Sequence, residues 1–99
     1  GFALGKLGKD SEALDCYNRA LEFDSKDVIA WTGKGFALGK LGKDSEALDC
    51  YNKALEIDPK NAIAWFGKGM TLGLLGEKDE AGQCFKRAKE LGFEPPSKK

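Results

Sequence analysis

At 99 residues the chain has material for one hydrophobic core and not for two. Hydrophobic residues make up 41% and charged residues 32%, the balance of a folded chain and not of a disordered one. Sixteen basic and sixteen acidic residues cancel and alternate in sign, which leaves no electrostatic footprint for nucleic acid or an anionic membrane. No apolar run approaches the roughly 20 residues that cross a bilayer, and the first residues lack the layout of a signal peptide, so the expected compartment is the cytoplasm.

The predicted elements, taken in chain order, are helices at about 1–7, 11–23, 28–41, 45–57, 62–75 and 79–91. The first is short and apolar, with Phe2, Leu4 and Leu7, and needs cover from an upstream segment or a second molecule, because seven residues are too few for an isolated helix. In the third, Trp31, Leu38 and Leu41 recur at intervals of seven and three; in the fourth, Ala47, Leu48, Tyr51, Ala54 and Leu55 share one face. Between these two, Gly42 can take the left-handed conformation that closes a helix, and Asp44 is placed to cap the next. Asp27 and Asn61 are positioned as N-caps, and Pro59 stops the helix before it. The last five residues, 95–99, read as a disordered tail.

A shift of 34 residues superposes the sequence on itself. Residues 1–27 match 35–61 at 23 of 27 positions, and 62–95 match 28–61 at 15 of 34. Such self-similarity means stacked copies of one helix-turn-helix unit. The chain divides into a truncated unit at 1–27, a full one at 28–61 and a last one at 62–94, about 2.8 repeats in one domain. In the last unit Gly82 and Lys89 stand where Leu48 and Leu55 should face a following repeat, the polar replacement expected at a terminal repeat.

Trp31, Gly35, Ala47, Tyr51, Ala54 and Pro59, repeated in part by Trp65, Gly69, Ala81, Phe85 and Ala88, resemble the signature of the tetratricopeptide repeat family over nearly the whole chain. Small residues at Gly35, Ala47 and Ala54 would let the paired helices approach closely. Lys34 and Lys68 depart from the family's usual Leu, Leu38 and Leu72 from its Tyr, and Phe93 from its Pro. The resemblance implies an all-α, right-handed solenoid of antiparallel helix pairs whose first helices line a concave, peptide-binding groove. Carried over residue by residue, the groove positions are Phe2 and Lys6, then Thr32, Phe36 and Lys40, then Phe66, Met70 and Leu74. Gly5, Gly39 and Gly73 lie beside them and would deepen the groove.

Where some family members clamp carboxylate tails with Lys and Asn, this set has Thr32, Phe36, Phe66 and Met70. It is apolar with a lysine edge, and suits the hydrophobic face of an amphipathic helix. Two uses compete for Phe36 and Phe66: a ligand site, or completion of the packing between repeats. At the level of the whole chain, the alternative to peptide binding is a module that self-associates through its open N-terminal end, as a homo-oligomer.

Chemistry is thinly supplied. The chain has no His, which removes Ser-His and Cys-His nucleophiles and His-ligated metal. Cys16, Cys50 and Cys84 recur every 34 residues and are one position copied three times, too far apart for a disulfide. Gly33-Lys34-Gly35-Phe36-Ala37-Leu38-Gly39 has neither the spacing nor the Gly-Lys-Ser/Thr ending of a phosphate loop. No enzyme activity, cofactor or metal is expected. Gly35 has a packing reason; Gly33 and Gly39, each costing about 1 kcal/mol relative to Ala in a helix, have none legible in the sequence.

Overall fold

The computed structural model describes residues 2–93, with residues 2–8 as backbone only. The predicted tail at 95–99 lies outside the described residues. Among the described residues five helices follow one another: α1 Phe2–Phe23, α2 Val28–Lys40, α3 Asp44–Ile57, α4 Ala62–Leu74 and α5 Lys78–Glu90. The fold is an all-α solenoid in which α2–α3 and α4–α5 are successive antiparallel pairs.

The sequence repeat is visible as repeated bonding. Asp27 and Asn61 cap α2 and α4 as predicted, their side chains accepting from the Ala30 and Ala64 amides at 3.1 and 3.0 Å. Gly42 takes φ +82°, and the Lys43 amide reaches back to the Leu38 carbonyl at 2.8 Å, closing α2. Gly76 and Glu77 do the same for α4. The indole N–H groups of Trp31 and Trp65 donate to the carbonyls of Ser25 and Pro59, at 2.8 and 2.7 Å, and tie each first helix to the loop before it. Lys34 and Lys68 lie over those same indoles at 5.4 and 5.5 Å. An apolar stem topped by a cation on a π face explains how Lys serves where the family uses Leu.

Two expectations are corrected. Asp44 does not cap α3: the N-cap is Lys43, without a side-chain bond, and Asp44 occupies the first turn, where its charge faces the positive end of the helix dipole. More substantially, the predicted helices at 1–7 and 11–23 are one continuous helix, α1. Residues 7–18 and 41–52 are identical in sequence, yet Gly42 breaks the chain into a hairpin and Gly8 lies within a helix. The turn bonds are open to both copies, so packing decides. Ahead of Gly42 stand thirteen helical residues that bury Gly35, Ala37 and Leu38. At Gly8 residues 2–7 continue the helix instead, and continuing an existing helix needs no new nucleus.

The core runs as three linked clusters. Leu38, Ala47, Cys50 and Tyr51 join α2 to α3, with Leu14 of α1 packed on them. Ala54, Leu55 and Ala64 join α3 to α4. Leu72, Ala81 and Cys84 join α4 to α5, and Leu48 packs against them from α3. Leu48 and Leu55 thus face the following unit, as the sequence pattern requires. Tyr51, 2% exposed, is the largest wholly buried side chain among the described residues.

Burial pushes the Tyr51 phenol well above its ordinary value, with the neighbouring Cys50 adding to the effect. In the unfolded chain the same phenol ionises near pH 10. Above that pH the unfolded state therefore loses a proton that the folded state keeps, and stability falls as pH rises. Urea titrations between pH 9 and 11 are expected to show a declining midpoint, with a shallower decline in Tyr51→Phe; equal slopes would show that Tyr51 does not carry the effect.

Candidate functional site

Consecutive first helices, α2 and α4, bring their backbones close to one another, whereas among the described residues the backbones of the second helices, α1 and α3 or α3 and α5, do not approach and only long side chains such as Leu14 and Leu48 reach across. The first helices therefore form the inner, shorter layer of a curved stack, and their free side is its concave face.

On this face apolar side chains stay open to solvent. Ile29 and Leu74 are 78% and 71% exposed, and Ile63 and Met70 are exposed as well. Ile29, Thr32, Phe36 and Ile63 come together, with Tyr17, Gly33 and Asn61, around an open cavity of about 210 Å³. The Thr32 hydroxyl donates to the Val28 carbonyl at 2.8 Å and so is already engaged. Phe36 divides its surface between the two uses that the sequence left open, meeting the Tyr51 ring edge-on at 5.4 Å while lining this cavity. Lys40 closes α2 and is exposed. No carboxylate stands on α2 or α4. A methyl group placed on Gly39 would meet nothing within 4 Å, and one on Gly73 only the Ala81 methyl at 4.0 Å, so both leave open space beside these residues.

Phe66 lies in different company. Its ring is 5.5 Å from Phe85 and 4.8 Å from Phe93, and the three line a separate, aromatic-rich cavity of about 340 Å³ with Ala88 and Lys89. The side chains of Phe2 and Lys6 fall outside the described residues. Ile29 and Ile63 were missed by the sequence reading. The signal was present: 29, 32, 36 and 40 continue one helical stripe, as do 63, 66, 70 and 74, and extending each stripe one turn earlier finds both isoleucines.

The glycine with no legible purpose acquires one. Gly33 receives the Tyr17 ring so closely that a Cβ there would collide with it. Gly67 is the same repeat position and receives Tyr51, where a Cβ would lie 2.5 Å from the ring. The glycine is what lets an aromatic of one unit seat against the first helix of the next.

Two further hollows, of about 330 and 310 Å³, repeat with the repeat: Trp31, Lys34, Glu46 and Cys50 line one, and Trp65, Lys68, Glu80 and Cys84 line the other. Burial raises the thiols of Cys50 and Cys84 above their ordinary value and so holds them as neutral thiols. Among the described residues no group of His, Cys, Asp or Glu side chains has the arrangement of a metal site, and no helix is long and apolar enough to cross a membrane.

Capped helix pairs stacked at a 34-residue period, with aromatic-on-glycine seating between units, define a helical-repeat solenoid. Models of the tetratricopeptide repeat match residues 28–61 and 50–83, and a TPR repeat model matches residues 1–42; the chain belongs to the tetratricopeptide repeat family. A comparison with curated proteins finds no match. Among solved structures, the first TPR of Spaghetti (RPAP3) bound to HSP90 peptide SRMEEVD is similar at 28% identity and a TM-score of 0.83, over 88% of this chain and 69% of that one. The second TPR of Spaghetti, bound to the same peptide, is similar at 28% identity and a TM-score of 0.81, over 87% and 80%. MamA is similar at 26% identity and a TM-score of 0.77, over 84% of this chain, which spans 48% of the MamA chain.

Proposed function

We propose that the chain binds a segment of another polypeptide on the concave face of α2 and α4, with Ile29, Phe36, Ile63, Met70 and Leu74 as the apolar floor and Lys40 as a basic edge. The observation that carries this reading is the exposure of four large apolar side chains, Ile29, Ile63, Met70 and Leu74, on one side of two helices that carry no carboxylate. Large apolar side chains gathered on one face mark an interaction site. Similar repeat domains solved with a bound peptide support the same use here. Their SRMEEVD peptide is acidic, whereas this face has more apolar than charged surface to offer. The reading is therefore an amphipathic segment, apolar residues inward, its carboxylates meeting Lys40. Met70 adapts to the shape it meets.

Selection of 16-residue peptides from a random displayed library is the test. Enriched sequences are expected to carry apolar residues at helical spacing, and to lose at least tenfold in affinity for an Ile29→Glu/Ile63→Glu variant. Both positions are exposed, so the variant should keep its helicity. Peptides that bind the variant as well as the parent would place the site elsewhere.

A further inference from the structure

The cavity between α2 and the start of α4 has the build of a seat for one side chain. Ile29, Phe36 and Ile63 give it apolar walls, and Tyr17, Thr32 and Asn61 bring polar atoms to it, around about 210 Å³ of open space. A cavity of about 150 Å³ lined by Leu, Ile and Phe admits a benzene ring, so this one has room for the ring of an aromatic residue. Phe36, beside its edge-on contact with Tyr51, offers such a ring a second aromatic neighbour.

Not all of the polar atoms are spent. Thr32 gives its hydroxyl proton to the Val28 carbonyl at 2.8 Å. Asn61 caps α4 by accepting from the Ala64 amide at 3.0 Å; the accepting atom is its oxygen, which leaves the NH2 group as a donor with no partner among the described residues. The Tyr17 hydroxyl lies over Gly33, where a Cβ would come within 2.8 Å of it, and it can donate or accept.

Capping does not require an amide at this place. Asp27, at the same repeat position, caps α2 with its carboxylate at 3.1 Å, and the change from Asp27 to Asn61 is one of the four differences between residues 1–27 and 35–61. An Asp at 61 would cap equally well, but it would bring a carboxylate to a cavity between two helices that carry none. Asn keeps the cavity uncharged and adds an N–H donor. A phenol answers all three features: its ring suits the walls, its oxygen accepts from the amide, and its proton remains to be donated. A charged side chain would lose its hydration there without an opposite charge in the lining.

We infer that this cavity seats a tyrosine side chain of the bound segment, the ring against Ile29 and Ile63 and the hydroxyl accepting from the Asn61 amide. The inference rests on the concave face being the binding site, and names the residue that anchors there.

The probe is p-cresol, the tyrosine side chain as a free molecule, set against toluene, which lacks only the hydroxyl. Each is titrated into the full chain while NMR follows the Ile29 and Ile63 methyl groups and the Asn61 side-chain amide. A hydroxyl that finds no partner loses water on entering, and toluene then binds better; with the amide as partner, p-cresol is expected to bind about fivefold tighter. Asn61→Ser keeps a good cap and removes the amide, so it should erase that preference with helicity unchanged. Ile29→Glu/Ile63→Glu should lose both molecules. Equal or weaker binding of p-cresol, a preference that survives Asn61→Ser, or shifts confined to the cavity of Phe66, Phe85 and Phe93 would each overturn the inference while leaving the concave-face reading in place. Selected peptides that ignore Ile29→Glu/Ile63→Glu would overturn the concave-face reading, and the tyrosine with it, even where p-cresol binds as expected.

Discussion

Tyr51→Ala is expected to lower stability by about 3–5 kcal/mol, the cost of emptying a large aromatic site that cannot collapse. The ring is 2% exposed, joins the α2–α3 cluster, meets Phe36 edge-on and is closed on both flanks by Gly35 and Gly67. It thus belongs at once to its own unit and to the next, and its loss loosens both interfaces. Against a total stability of about 5–15 kcal/mol for a domain of this size, that leaves little, and the thermal midpoint should fall by on the order of 20 °C. Phe85→Ala removes the equivalent ring in the last unit, where it is 39% exposed, and should cost clearly less. Chemical denaturation of the two variants side by side checks this. Similar losses would mean that the aromatic position is not the seat between units.

The second large effect is a pair of opposite signs at one sequence position. Gly42→Ala places a Cβ at φ +82° and is expected to cost about 1–2 kcal/mol. Gly8→Ala, in the same sequence surroundings but inside α1, is expected to gain up to about 1 kcal/mol from helix propensity. The two should therefore move the urea midpoint in opposite directions at an unchanged denaturant slope. A loss at both positions would show that Gly8 makes a turn in solution and that residues 2–7 fold back as a separate helix.

For the groove, legibility was partial. The positions Thr32, Phe36, Lys40, Met70 and Leu74 came from the family resemblance, and helical periodicity says only that each set shares a face of its helix. Phe66 shares the stripe, but its ring finds Phe85 and Phe93, a meeting between residues 19 and 27 positions apart that no local pattern specifies. The purpose of Gly33 was hidden for the same reason: its partner is Tyr17, in another unit.

The sequence by itself determined what is local and what is repeated: the helix pairs, the caps at Asp27 and Asn61, the left-handed Gly42, and the stacking of units implied by a 34-residue period. These follow from backbone preference and from periodic burial, which each segment carries within itself. Only the tertiary structure decided how identical segments would differ. Residues 7–18 and 41–52 have one sequence and two conformations, and Cys16 and Cys50 occupy one repeat position with opposite exposure. The physical reason is the same in both cases: whether a turn forms and whether a face is buried depend on the packing area that a neighbouring helix contributes, as α2 contributes it to α3.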